Sequence, residues 1–475
     1  MSGFIPPYPE RPCKPLSAIS ALRAARRNVL TMWEERCFEW EFFSARVLSR
    51  MLFVCNSPDT VERAFIAHHD SFARKSPQMR HGLAPLLGDG LFISDGETWR
   101  HRRRIVAPIV HVSQLPLFAP LIVEAANETA DRWAAMAGDK PINALAEMAT
   151  LTAEIICRAV FGRRLGAEHA AEIVSAFSEY QRLIGQVDII YLLGLPDWLP
   201  RFHSFAAHRA ARRIRTVLDE IIRDCRERLA DGEASMIRLL LEARDGETGA
   251  RLDAAALRNE AAVIFMAGHE TTANSLAWTW YLLSQAPEVE SRLHAELAAV
   301  LHGRAPSLED VPNLVYTRAI FEEALRLYPP VPVLARQALR DERIHGRLIP
   351  VGSLVLIVPW LLHRHRKYWE SPDHFMPERF LPENASGLVR HAYLPFSTGP
   401  RICAGAAFGL TEAILCIATL AQRVRVRLAA DAVVRPVSRL TLRPGNELRM
   451  LVERSGQADA SEYGPLDTAV TRPSR

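Results

Sequence analysis

The chain has 475 residues, 49% of them hydrophobic, and its 58 Lys and Arg against 54 Asp and Glu leave a formal charge of +4. That near-balance excludes the basic field of a nucleic-acid binder, and the length allows up to about three domains or one large enzyme core. The seven cysteines (Cys13, Cys37, Cys55, Cys157, Cys225, Cys403 and Cys416) are scattered and form no C-x-x-C pair, which argues against a disulfide framework or structural zinc site and for a reducing, cytoplasmic compartment.

Residues 1–36 read as a proline-rich segment (Pro6, Pro7, Pro9, Pro12, Pro15) followed by a first helix over 17–36, carried by Ile19, Leu22, Val29 and Met32. No stretch approaches the roughly 20 apolar residues of a membrane span, so a soluble chain without an anchor is expected. Two β-leaning runs over 37–55 lead to Asn56-Ser57-Pro58, where Ser57 caps a short helix opened by Pro58. Residues 73–98 read as an irregular loop punctuated by Gly82, Gly88, Gly90 and Gly96. Its apolar Leu83, Leu86, Leu87, Leu91 and Phe92 make sense as cover for a ligand cavity. Trp99 and Arg103 are four apart and share a helix face. A charge run such as 100–104 is ordinarily a solvated face. Arg100, Arg102 and Arg104 are also candidates for a basic patch that attracts an acidic protein partner. Helical segments with short polar joints fill 115–245, and the apolar interruption at 188–200 fits a core segment and a lid equally.

The longest predicted helix runs from Asp253 to about Gln285, closed by Pro287, and would span about 50 Å. Its middle reads Ala267-Gly268-His269-Glu270-Thr271-Thr272. A helix-interior glycine costs roughly 1 kcal/mol relative to Ala; a flat cofactor lying against Ala267 and Gly268 would give it a reason. Ile264, Ala267, Gly268 and Thr271 share one face. Glu270 and Thr271 beside that gap suit a proton path, Glu270 as relay from solvent and Thr271 as a group that both donates and accepts. An H-E-x-x-H zinc site fails, because its last position is Ala273.

Farther on, Glu323 and Arg326 are three apart and can pair on a helix. Leu354 to Val358 reads as a strand buried on both faces, and His363 to Lys367 as a second basic cluster. Thr441-Leu442 and Met450-Leu451-Val452 flank Pro444-Gly445-Asn446, a hairpin signal. After Arg454 the composition predicts a disordered tail over 455–475.

The most informative stretch is Phe396-Ser397-Thr398-Gly399-Pro400-Arg401-Ile402-Cys403-Ala404-Gly405. A lone cysteine beside an apolar run is ordinarily a small buried hydrophobe. Here Cys403 stands between two glycines and just before the helical run from Phe408 to Leu420, whose first amides favour thiolate. Thiolate is the strong axial donor that favours O–O cleavage at a haem iron. The decamer resembles the haem-binding loop of the cytochrome P-450 family, Phe-x-x-Gly-x-Arg-x-Cys-x-Gly, at every defining position. Three further motifs in the right order support the resemblance: Trp99-x-x-x-Arg103, Ala267-Gly268-x-Glu270-Thr271, and Glu323-x-x-Arg326 followed by Pro377-Glu378-Arg379-Phe380.

The resemblance, over roughly residues 40–454, implies a mainly α fold with small β-sheets, in which a long central helix and the Cys loop enclose haem b. The predicted organisation is one haem-binding monooxygenase domain over 37–454. Cys403 would be the axial iron ligand, with Phe396 beside the sulfur and Gly405 behind it. Trp99, Arg103, Arg336 and Arg401 would reach the haem propionates, Ala267 and Gly268 would make room for the ring, and Glu270 and Thr271 would deliver protons. Glu323, Arg326 and Arg379 would form a structural network that holds the Cys loop. Leu83, Phe92, Ile264, Phe265, Val333, Leu334 and Leu448 are the substrate-pocket candidates. Two positions depart from the common pattern: Ser397, where many members have Gly, and Ala404, where a larger aliphatic is common.

The implied reaction inserts one O2 oxygen atom into an apolar organic substrate, by hydroxylation or epoxidation. Electrons from NAD(P)H would come through a separate ferredoxin or flavodoxin/reductase, since no G-x-G-x-x-G follows a strand. The basic residues at 100–104 and 364–367 would form its docking face, and the chain is expected to act as a monomer. Two alternatives carry less: a peroxide-using or isomerising haem-thiolate enzyme, which would not need Glu270 and Thr271, and a non-enzymatic haem sensor, which would need no proton path.

Overall fold

The computed structural model describes residues 4–14, 16–138, 140–162, 167–184, 188–196, 199, 205–227 and 235–455. The chain is mainly helical with four small sheets among these residues. In chain order the helices are α1 (Ala18–Arg27), α2 (Pro58–Glu62), α3 (Pro77–Leu87), α4 (Gly96–Val106), α5 (Leu115–Ala135), α6 (Ala144–Phe161), α7 (Ala167–Leu183), α8 (Ile189–Leu192), α9 (Phe205–Glu227) and α10 (Met236–Glu242). They continue with α11 (Ala254–Ser284), α12 (Pro287–Leu301), α13 (Val315–Leu327), α14 (Pro359–Leu362) and α15 (Ala406–Arg423).

The largest sheet takes β1 (Phe42–Val47), β2 (Arg50–Cys55) and β3 (Arg74–Lys75) from the N-terminal part. After β4 (Ile142–Asn143), it gains β5 (Leu334–Gln337) and, beyond the hairpin of β6 (Glu342–Ile344) and β7 (Arg347–Ile349), β8 (Leu354–Ile357). Its order is β1-β2-β8-β5-β3, and β2 runs parallel to β8. This pairing joins residues 50–55 to 354–357 and sets β5 along the cavity edge. The remaining strands are β9 (Val424–Leu428), β10 (Val437–Ser438), β11 (Leu442–Arg443) and β12 (Arg449–Arg454).

α11 passes through the middle of the molecule, and 24 of its 31 residues are buried, so its apolar positions encircle it rather than form one stripe. Asp253 starts it by accepting the Ala256 N–H at 2.7 Å, an N-cap bond. It packs lengthwise on α6, with α13 and α15 also against it. The predicted strand at 354–358 is present and buried, and Ser57 caps α2 in a reciprocal bond with Thr60.

Three local expectations are corrected. The first helix stops at Arg27, because Asn28 leaves helical geometry and its amide bonds Leu30 N–H, Ser438 N–H and the Pro436 carbonyl. The 73–98 stretch is not all loop: Ser76 accepts the Met79 N–H and Pro77 opens α3. The 441–452 stretch is not a hairpin, since β11 pairs with β10 while β12 pairs with β4 and β9. Within 188–200, Tyr191 and Leu192 are buried against the β1–β2 turn, bonded through Ser49 and Arg50; residues 197–198 and 200 lie outside the described residues, as does the predicted tail from 456 on.

The proline-rich segment lies on the body of the fold. Phe4 O accepts the Phe375 N–H at 2.9 Å, Pro7 O accepts the Tyr328 hydroxyl at 2.7 Å, and Arg11 pairs with Asp373 at 2.5 Å. Beneath it, Glu323 and Arg326 are completely buried. Arg326 Nε and Nη2 donate to the Glu323 carboxylate at 2.6 and 2.7 Å, and its other N–H groups reach the carbonyls of His363, Pro372 and His374. Arg379 stands at the edge of this pair, its Nε 3.5 Å from Glu323.

Candidate active site

The Cys403 loop is a tight backbone construction. Ser397 and Gly399 both have positive φ, 65° and 70°; a Cβ at Gly399 would collide with the Phe65 carbonyl, so only glycine fits there. Cys403 N–H donates to Phe396 O at 2.9 Å, closing the loop, and Gly405 sits at the N-cap of α15. The Cys403 side chain opens into an interior cavity. Burial raises its thiol pKa, against the pull of the Gly405 N–H, Arg103 and Lys75. A coordinated metal ion is what deprotonates such a thiol outright.

Across the cavity stands α11. Ala267 and Thr271 face it, as does Ile264. Thr271 Oγ1 donates to Ala267 O at 2.6 Å, which uses its proton and leaves its lone pairs toward the cavity. Gly268 borders the cavity, but its missing Cβ makes room chiefly for α6: a Cβ there would lie 2.7 Å from Ile156. Glu270 is 5% exposed and held from three sides. Its Oε1 accepts from Thr441 at 2.6 Å and Arg443 Nε at 3.0 Å, and Oε2 accepts from Gln181. Thr441 also lines the cavity, so it links the carboxylate to the interior.

A cationic edge completes the site. Arg401 lies 4.4 Å over the Trp99 ring and donates to Ser94 O, leaving Nε and Nη2 buried without partners. Arg336 donates to Ala335 O and leaves Nη2 without one. Burial, with Arg401 beside it, brings the Arg336 pKa down to about 9; burial, Arg336 and Arg401 push the Lys75 pKa well below its usual value. Arg103 is also lowered by burial. Unpaired buried donors of one sign are costly, and the two carboxylates of a haem would answer that deficit. Cys403 below, small residues on α11 above and this edge all fit the group. Lys75 escaped the sequence reading; it is placed at the edge by the two-residue β3, which pairs it with Arg336.

Of the pocket candidates, Phe92, Ile264, Val333 and Leu334 line the cavity. Leu83, Leu448 and Phe265 do not. Leu83 is 1% exposed in the core, on the part of α3 packed toward α7, where Tyr180 donates to Gly82 O. Leu448 is held by β4, its N–H on Asn143 Oδ1 and its O on Ala144 N; Phe265 points away to stack on His269. Leu91, expected as cavity cover, lines the cavity, and Val263, Leu440 and Glu412 do so without having been singled out. Glu412 is 1% exposed with one unpaired oxygen, and burial raises its pKa far above the usual carboxyl range.

The residues of the expected basic docking face are largely engaged within the chain. Arg102 is buried against Asp89 and Glu260, Arg104 is bonded to Asp245, and Arg100 to Glu97. His363, Arg364 and His365 are buried, while Arg366 pairs with Glu35 and Glu39, and Lys367 with Glu41. Most of these cations are paired with carboxylates distant in sequence, and Arg100 with the neighbouring Glu97.

A cavity with a cysteine on one wall, a threonine and a bonded glutamate opposite and unpaired cations at the edge defines a haem-thiolate oxygenase. The chain belongs to the cytochrome P450 family, whose model matches residues 17–448. It is 35% identical to cyclooctatin synthase of Streptomyces melanosporofaciens over 78% of this chain and 79% of that one. It is 32% identical to cyclooctat-9-en-7-ol 5-monooxygenase of the same organism over 77% and 80%. The crystal structure of the cytochrome P450DA heme domain superposes with a TM-score of 0.75 at 27% identity, covering 87% of this chain and 90% of that one. The protein is thus a cytochrome P450 monooxygenase with haem as its cofactor. Among the described residues no helix is long and apolar enough to cross a membrane.

Proposed function

We propose that the enzyme inserts one atom of O2 into an apolar, alkene-bearing carbocyclic substrate, the other atom leaving as water with two protons and two electrons. The observation that carries this reading is the placement of Cys403 across one cavity from Thr271 and Ala267, edged by unpaired cations. Cys403 would hold the iron, and Trp99, Lys75, Arg103, Arg336 and Arg401 the propionates. When bound, the haem supplies reductive activation of O2.

The chain's own residues supply the rest. Thr271, its proton on Ala267 O, accepts a hydrogen bond from water and orients it. Glu270 is the relay of the proton route, linked to the cavity by the Thr441 hydroxyl and toward the outside by Arg443, which is 21% exposed. Phe92, Ile264, Val333 and Leu334 exclude bulk water and hold the substrate by apolar contact. Electrons originate from NAD(P)H and pass through a separate ferredoxin or flavoprotein. The relatives' names, a cyclooctatin synthase and a monooxygenase acting on cyclooctat-9-en-7-ol, support the carbocyclic class.

The decisive experiment is the carbon monoxide difference spectrum of the dithionite-reduced protein. A Soret band strongly red-shifted from that of His-ligated haem proteins is expected, and Cys403→Ser should abolish the shift and lower turnover by at least about 1,000-fold. A band at the His-ligated position in the unaltered protein overturns the reading.

A further inference from the structure

We propose that Glu260, which does not line the cavity, is a positioning residue: it clamps the loop carrying Leu91 and Phe92 onto α11 and thereby sets which apolar substrates the cavity accepts. The inference rests on the monooxygenase reading for its substrate and on geometry alone for the clamp.

Glu260 is completely buried in the N-terminal half of α11. Both its oxygens receive the Leu91 N–H, at 3.0 and 3.2 Å, and Arg102 Nε of α4 lies 3.5 Å away. Arg102 in turn donates to both oxygens of Asp89, at 3.1 and 3.2 Å, and Asn259 Nδ2 donates to Asp89 at 2.9 Å. Arg102 and Asp89 are the charged groups that act on Glu260; Arg258 on its own helix is bonded to Asp219 of α9 instead.

The loop is pressed onto the helix at two glycines. A Cβ on Gly88, at φ +57°, would strike the Asn259 amide, and one on Gly90 would lie 2.7 Å from Val263. Immediately beyond the clamped N–H, Leu91 and Phe92 line the cavity. The next turn, Ser94 N–H on Gly90 O, ends at the Ser94 carbonyl that receives Arg401. One buried carboxylate therefore fixes the backbone from which two cavity residues project, two steps from the cationic edge.

A buried acid is a poor way to stabilise a core. Burial pushes the Glu260 pKa up to about 7 even with Arg102 beside it; an apolar residue of similar volume would often cost less. What the carboxylate provides, and an apolar side chain could not, is a directional acceptor for one loop N–H.

The test compares two ligands that bind haem iron through a ring nitrogen, imidazole and 4-phenylimidazole; only the second carries a phenyl group into the substrate space. In the holoenzyme, Glu260→Ala is expected to weaken 4-phenylimidazole at least about fivefold and imidazole less than about twofold. Glu260→Gln, which keeps an acceptor for Leu91 N–H, should restore most of the difference. In a Phe92→Ala background the Glu260→Ala effect should shrink to under about twofold, since the two act through one contact. Equal shifts for both ligands, no shift for either, or full additivity with Phe92→Ala overturns the proposal. Should Glu260→Ala fail to fold, Gly90→Ala lifts the same loop off Val263 without touching a charge and must reproduce the discrimination. Hydrogen exchange at the Leu91 amide, expected to quicken at least about tenfold in either variant, reads the clamp without any haem. Unchanged exchange sinks the clamp, whereas a missing haem spectrum sinks only the monooxygenase reading.

Discussion

Two clusters of buried arginine differ in one respect. At Arg326 each of the five N–H donors is used, on Glu323 and on the carbonyls of His363, Pro372 and His374. At Arg336 and Arg401 three buried nitrogens have no partner, and Lys75 adds another cation to the same edge. Both clusters incur the desolvation of a guanidinium. The first recovers it within the chain and so belongs to the architecture. The second is incomplete in the chain alone and faces a cavity, which is the ground for its proposed role as receptor of a bound group.

The largest effect that would break this comparison lies at the closed cluster. Glu323→Ala removes the carboxylate on which Arg326 and the Met376 N–H converge and leaves a fully buried cation. The expected loss is about 3–5 kcal/mol, seen as a denaturation midpoint that falls whether or not haem is supplied. A variant that folds normally but fails only in turnover would move Glu323 from the architecture to the chemistry.

The α11 wall offers a middle case, a buried carboxylate fully satisfied beside a hydroxyl that is not. Thr271→Ala removes the oxygen proposed to orient water while leaving Glu270 with Thr441, Arg443 and Gln181. Product formed per electron pair should drop about tenfold, with peroxide released instead, while the carbon monoxide spectrum and substrate affinity hold. Undiminished coupling would remove Thr271 from the proton path.

How far these roles were legible in the sequence follows from distance along the chain. Glu323 and Arg326, Trp99 and Arg103, Ala267 to Thr271 and the Cys403 decamer are local patterns, and the structure puts each at one place. Lys75, one of four lysines in the chain, enters the site through a strand pairing with Arg336, 261 positions away and without a local signal. Arg443 reaches Glu270 across 173 positions. The α3 helix did have a signal: Ser76-Pro77 repeats the cap-and-proline start of Ser57-Pro58, but Gly82 and Gly88 hid it as apparent breakers. The pairing of the arginine runs left no local signal, because the carboxylate partners Asp245, Glu35, Glu39 and Glu41 are remote in sequence.

The smallest effect gives the sharpest form of the comparison, because its sign reverses with ligand. Arg336→Met keeps roughly the length of the side chain and discards a buried charge whose Nη2 has no partner. In the haem-free protein it should raise stability by about 1 kcal/mol, since a desolvated cation gives way to apolar packing. With haem supplied, the variant should lose about tenfold in haem retention, because one carboxylate of the group would then lack its guanidinium. Ligand stabilisation grows with the logarithm of concentration over dissociation constant, so the two denaturation curves should cross as haem is added. Arg326→Met has no such crossing to offer: there the removed charge had a partner in the chain, and the loss is expected with and without haem. If Arg336→Met instead destabilises the haem-free protein as Arg326→Met does, the cationic edge is architecture and its reading as a carboxylate receptor falls.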